Sequence, residues 1–221
     1  MTSTPGLPGE SYRPPADAGL AVIHRDDHLI VLDKPAGLLT VPGKGEALAD
    51  CLEARVQARF PDALTVHRLD RDTSGLVVMA MGRPAQRHLG LQFERRKLHK
   101  TYLAVVSGVI QADDGEIALP LIADWPNRPL QKVCFEHGKQ ALTRWRVLQR
   151  GPCSTRLELE PHTGRSHQLR VHMKELGHPI LGDPLYGDAS SAPRLMLHAQ
   201  TLELHHPADG ARLKLEAPLP F

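Results

Sequence analysis

The residues best suited to chemistry lie together in His67-Arg68-Leu69-Asp70-Arg71-Asp72-Thr73-Ser74-Gly75, just ahead of the apolar run Gly75–Met81. A loop entering a buried strand is held at one end, which suits a reactive carboxylate. Asp70 stands between Arg68 and Arg71, with Asp72 two residues on. The same spacing also suits a polar turn in which Asp72, Thr73 or Ser74 bonds to nearby backbone. A glycosidase-like acid pair is a third reading, although such pairs usually come from different elements. The second group is Thr163-Gly164-Arg165-Ser166-His167-Gln168-Leu169-Arg170-Val171-His172-Met173. Helical spacing over Ser166–Leu176 puts His167 and Arg170 on one face and Leu169, Met173 and Leu176 on the buried side. Its start, with Gly164, Arg165, Ser166 and free backbone N–H groups, is a reasonable phosphate cradle. Zinc is a poorer use of His167 and His172, which lie roughly 140° apart around a helix axis. No metal is expected.

These groups need elements to hold them. Ala21–His24 and His28–Leu32 flank a turn at Arg25-Asp26-Asp27. Leu48, Leu52 and Val56 recur at a spacing of four, which predicts one helix over about residues 46–59. Gly75–Met81 reads as a central strand, and Arg83–Arg95 as a second helix with Leu89 and Phe93 inward. Strands are predicted at Thr101–Val106, Leu142–Leu148, Thr155–Leu159, Leu195–Leu204 and Leu213–Leu215. Helices separated by antiparallel strand pairs imply an α+β fold: one domain over residues 20–221 with a large mixed, mainly antiparallel sheet flanked by helices and loops. Residues 1–19, with four prolines and little apolar pattern, read as a mobile tail.

Composition narrows the function. The 221 residues carry 41% hydrophobic and 24% charged side chains, ordinary globular values. No apolar run approaches the roughly 20 residues that span a bilayer, so no membrane partner is expected. Three cysteines, Cys51, Cys134 and Cys153, lack CxxC pairing and read as reduced thiols in a cytoplasmic protein. A net charge of +2 says little by itself, but Arg83–Lys100 holds six Arg and Lys against Glu94 alone. That strip is either a solvated helix face or a phosphate contact.

HRLDRDTSGLVVMA resembles the catalytic signature of the RluA family of pseudouridine synthases. DKPAGLLTVPG, KTYLAVVSG and TGRSHQLRVHM…GHPILGDPLYG match in the same order, so the resemblance spans about residues 21–217. It implies an RNA-modifying isomerase that detaches uracil from ribose, turns it and rejoins it through carbon. Nothing is gained or lost, so neither cofactor nor metal is implied. Asp70 corresponds to the catalytic aspartate, Tyr102 to the active-site tyrosine and Arg170 to the salt-bridge partner of Asp70. Asp70 would attack C1′, remove a ribose proton or add to the uracil ring. Arg68 would fill the space left by the extruded nucleotide, while Arg165, His167, Arg95, Arg96, Lys97 and Lys100 would meet RNA phosphates. Residues 123–134 are similar to a segment of a member acting on both large-subunit rRNA and the tRNA anticodon stem-loop. The S4 RNA-binding domain common in the family has no counterpart in this sequence, so RNA contact is expected from the catalytic domain, acting as a monomer. The competing readings are a non-catalytic RNA-binding or RNA-folding module on the same scaffold, and a small hydrolase using Asp70 and Asp72.

Overall fold

The computed structural model describes residues 12–221. Ten strands form one sheet in the order β1 (Val22–Arg25), β2 (Leu29–Lys34), β4 (Ser74–Met81), β11 (Leu197–His205), β5 (His99–Ser107), β10 (Ser154–Pro161), β9 (Thr143–Arg150), β6 (Asp114–Ile117). Strand β3 (Ala63–Thr65) joins at β4 and β12 (Arg212–Glu216) at β11. Every pairing is antiparallel except β4 with β11. A separate hairpin is built from β7 (Leu121–Ala123) and β8 (Gln131–Val133). Among the described residues no helix is long and apolar enough to cross a membrane.

The apolar run of β4 is a strand buried on both faces, so alternate residues serve two cores. Leu76, Val78 and Ala80 pack with Ala85 and Leu89 of α2 (Arg83–Glu94). Val77 and Met79 face the other way, onto Leu52 and Val56 of α1 (Leu52–Gln57). Strands β9 and β10 bury one face only: Trp145, Leu157 and Leu159 meet Leu169 and Met173 of α3 (Gln168–Glu175). Both ends of the long sheet therefore lean on a helix, and the cleft between these cores holds the reactive groups.

Three sequence expectations are corrected. The helix expected over residues 46–59 is a 3-10 turn at Glu46–Leu48 followed, after a break, by α1. The N–H groups of Leu52 and Glu53 donate to the carbonyls of Leu39 and Thr40, which fixes the helix start there. Of the tail expected to be mobile, residues 1–11 lie outside the described residues, but residues 12–19 are docked. The Tyr12 hydroxyl donates to the Asp50 carbonyl at 2.8 Å and accepts from the Leu39 N–H, and Arg55 holds the Pro15 carbonyl at 2.7 Å. The helix expected from Ser166 begins at Gln168, because His167 adopts a left-handed conformation at φ 53°.

Candidate active site

The loop between β3 and β4 is fixed from several directions before Asp70 is presented. Thr40 clasps Leu69, its hydroxyl donating to the Leu69 carbonyl at 2.8 Å and accepting the Leu69 N–H at 3.1 Å. The fully buried Lys34 donates to the carbonyls of Pro35, Leu38 and Arg71 at 3.0, 2.6 and 2.9 Å, tying the 34–38 loop to the 67–73 loop. Burial lowers the Lys34 pKa to about 7, with Asp72 and Asp70 opposing it. Three carbonyl acceptors match the three protons of the charged form. His67 stacks on Phe93 at 4.4 Å, and its Nε2 accepts the Val78 N–H. Gly75 closes the loop at φ 110°, where a Cβ would collide with the Ala199 backbone, so β11 comes beside β4 only because glycine stands there.

Asp70 then lines a cavity of about 760 Å³ together with Arg68, Tyr102, Arg165, His167 and Arg170. Its side chain is 24% exposed, which leaves an edge open to a ligand. The Arg170 guanidinium is almost wholly buried and uses two edges. Nε and Nη2 grip Asp183 at 2.8 and 2.6 Å, and Nη1 faces Asp70 Oδ2 at 3.5 Å. The tighter bond belongs to the structural partner, and the looser one reaches the cavity.

A relay of smaller groups completes this wall. The Tyr186 hydroxyl accepts from the Gln131 N–H at 2.8 Å and lies 2.7 Å from His167 Nδ1. The two are within hydrogen-bond distance, and His167 Nε2 lies 3.9 Å from Asp70 Oδ1. Burial holds His167 below the ordinary histidine range and raises Tyr186 to about 12, so both stay neutral at physiological pH. Tyr102 projects from β5; burial and then the Asp70 charge raise its phenol far above the tyrosine range. It is a protonated phenol on the cavity wall.

The expected site residues divide clearly. Asp70, Tyr102, Arg170, Arg68, Arg165, His167, Arg96 and Lys100 all line the cavity. Arg95 and Lys97 are exposed beside it without lining it. The phosphate cradle expected at the start of α3 is filled by the protein itself: Gln168 Oε1 accepts the Arg165 N–H at 3.0 Å and the Thr163 hydroxyl at 2.6 Å. His167 does not share a helical face with Arg170; both reach Asp70 because the left-handed turn redirects the imidazole. Asp72 is held by Arg71 at 2.8 Å and does not line the cavity, which removes the two-acid hydrolase. Lys34, Asp183 and Tyr186 were not anticipated. The signal that could have found them was the matched motifs, since Lys34 lies in DKPAGLLTVPG and Asp183 and Tyr186 lie in GHPILGDPLYG. Among the described residues no group of three or more His, Cys, Asp and Glu is placed to hold a metal ion.

A family profile described as RNA pseudouridylate synthase matches residues 28–175, from β2 through the whole of α3. The chain belongs to the RNA pseudouridylate synthase family. It is an RNA pseudouridine synthase, as the sequence resemblance implied. Its relatives include the dual-specificity RNA pseudouridine synthase RluA of Escherichia coli K12, 48% identical over 96% of this chain and 99% of that protein. The Vibrio cholerae protein of the same name is 50% identical over 89% and 81%. Among solved structures, human RNA Pseudouridylate Synthase Domain Containing 1 superposes with a TM-score of 0.78 at 30% identity, covering 95% of this chain and 87% of that one. The profile takes in Asp70, Tyr102 and Arg170, and every residue lining the cavity except Leu197.

Proposed function

We propose that this synthase isomerises uridines in both large-subunit rRNA and the tRNA anticodon stem-loop, with Asp70 as its reacting carboxylate. The observation that carries the assignment is the Asp70 carboxylate on a cavity wall, facing a buried guanidinium at 3.5 Å and sharing that cavity with a protonated phenol. The relatives named as dual-specificity enzymes support the two-substrate reading.

The reaction breaks the C1′–N1 bond of uridine, forms C1′–C5, and moves a proton from C5 to nitrogen. All atoms are conserved and no electrons are gained or lost, so the reaction needs neither a cofactor nor a metal; the proposed enzyme acts as a monomer in the cytoplasm. Asp70 acts on the sugar–base junction while ionised, and Arg170, locked by Asp183, keeps a positive charge beside it. Tyr102 stacks on the extruded uracil and stands ready where the C5 proton leaves. Arg68, exposed at the cavity rim, fills the gap in the RNA, and extrusion costs least from a loop already partly unstacked. Arg83 and Arg87 are exposed one turn apart on α2, which is about 18 Å long, and the exposed Arg95 stands just past its C-terminal end. With Arg96, Lys97, Lys100, Arg165 and His167 they supply a track for the RNA backbone.

The direct test incubates the purified chain with an anticodon stem-loop RNA and with a large-subunit rRNA fragment, then maps pseudouridine in each. Product in both is expected. Product in one alone would refute dual specificity, and product in neither would refute the substrate assignment.

A further inference from the structure

The β7–β8 hairpin carries a surface that the reaction does not use. The chain has two tryptophans, three tyrosines and four phenylalanines, and apolar rings are normally kept from water. Trp125, at the hairpin tip, is nevertheless 65% exposed, whereas Trp145 is buried at 7%. The Arg128 guanidinium lies over the Trp125 ring at 3.2 Å, and most of the side chain still faces solvent. The tip is rigidly built. Asp124 accepts from Asn127 at 2.8 Å and Lys132 at 3.0 Å, and the Asp124 N–H donates to the Leu130 carbonyl.

Its position is equally specific. Ala123 pairs with Gln131 at the tip end of the hairpin, and the Gln131 N–H donates to Tyr186, whose hydroxyl touches His167 beside Asp70. The tip is thus coupled to the cavity wall by two hydrogen bonds. An exposed indole with a guanidinium on one face presents a flat π surface and a positive charge, the pairing used to hold splayed nucleobases and their phosphate backbone.

We propose that Trp125, backed by Arg128, is a stacking platform for an unpaired base of the RNA substrate other than the reacting uridine, and so a specificity-determining residue of this synthase. The inference rests on the RNA-substrate reading above. The platform acts on binding and on choice of substrate, not on bond making at Asp70.

The test titrates an anticodon stem-loop RNA into the whole protein while following tryptophan emission and, in parallel, the anisotropy of end-labelled RNA. Pseudouridine formation under single-turnover conditions is measured for the wild type, Trp125→Phe and Trp125→Ala. RNA should quench the exposed indole. Trp125→Ala should weaken binding roughly tenfold, equivalent to about 1.4 kcal/mol, with the rate at saturating enzyme little changed. Trp125→Phe should recover much of the loss. A single abasic substitution in the RNA loop should weaken the wild type but not Trp125→Ala. If the wild type binds and modifies the RNA while its emission is unchanged and Trp125→Ala binds equally well, the platform is refuted and the synthase reading stands. Loss of self-association in Trp125→Ala with RNA binding intact would equally refute it, assigning the ring to a protein contact. Absence of any modification by the wild type would instead strike the substrate assignment.

Discussion

Two charged regions of this molecule are built on opposite plans. On the outer strands the cations are neutralised: Arg144 pairs with Glu116, Arg146 with Glu158, Arg150 with Asp113, and Arg212 with Glu203. Around the cavity mouth and along α2, none of Arg68, Arg83, Arg87, Arg95, Arg96, Lys97, Lys100 and Arg165 forms a salt bridge among the described residues. The same residue types therefore make a quiet, paired solvent face in one place and a group of cations without ion-pair partners in the other. Net charge hides this contrast, since +2 averages over both.

The largest effect is expected inside the cavity, where charge is both paired and buried. Arg170→Ala strands Asp183, which is fully buried, and should lower unfolding free energy by about 3–5 kcal/mol in a denaturant titration. An unchanged midpoint would show that the pair carries no structural weight. Next come the free cations. Replacing Arg96, Lys97 and Lys100 together with glutamine should weaken stem-loop binding and flatten its salt dependence, by about 0.7 in log–log slope for each phosphate of single-stranded RNA that is no longer neutralised. An unaltered slope would make the strip an ordinary solvated surface.

A further effect concerns pH and emerges only in acid. Burial depresses the His67 pKa from 6.5 to about 3, with Lys100 adding to the shift. Between these values the unfolded chain binds a proton that the folded chain refuses. Stability is therefore full above 6.5 and falls as the pH drops toward 3, by at most about 1.4 kcal/mol per pH unit from this residue. In His67→Gln, whose amide oxygen can still accept the Val78 N–H, unfolding curves across this range should show a shallower fall. The smallest effect belongs to the neutralised face: Arg144→Gln with Arg146→Gln should leave RNA affinity and its salt slope unaltered. A slope change equal to that of the cavity-mouth variant would erase the distinction between the two regions.

The sequence was most readable where one local rule dominated. The apolar run of β4, the alternation in β9 and β10 and the four-residue spacing in α2 each name their element. Asp70, Tyr102 and Arg170 were reached through resemblance, and the fold brings all three to one cavity although Asp70 and Arg170 are 100 residues apart. What stayed hidden depended on contacts across the chain. Asp183 looks like a turn residue until Arg170 is seen gripping it, and Lys34 looks exposed until three carbonyls enclose it. The shortened α1 and the left-handed His167 failed for the same reason: carbonyls of residues 39–40 and the Tyr186 hydroxyl set those conformations, and no local spacing encodes them.

The central claim is that one carboxylate performs the chemistry while separate groups hold the RNA. Asp70→Asn keeps the side chain's size and removes its charge, so its effect on turnover and binding can be read separately. With a stem-loop RNA at saturating enzyme, pseudouridine formation should vanish while the Kd for the RNA stays within a few-fold of the wild type. Substantial turnover by Asp70→Asn would contradict the assignment outright.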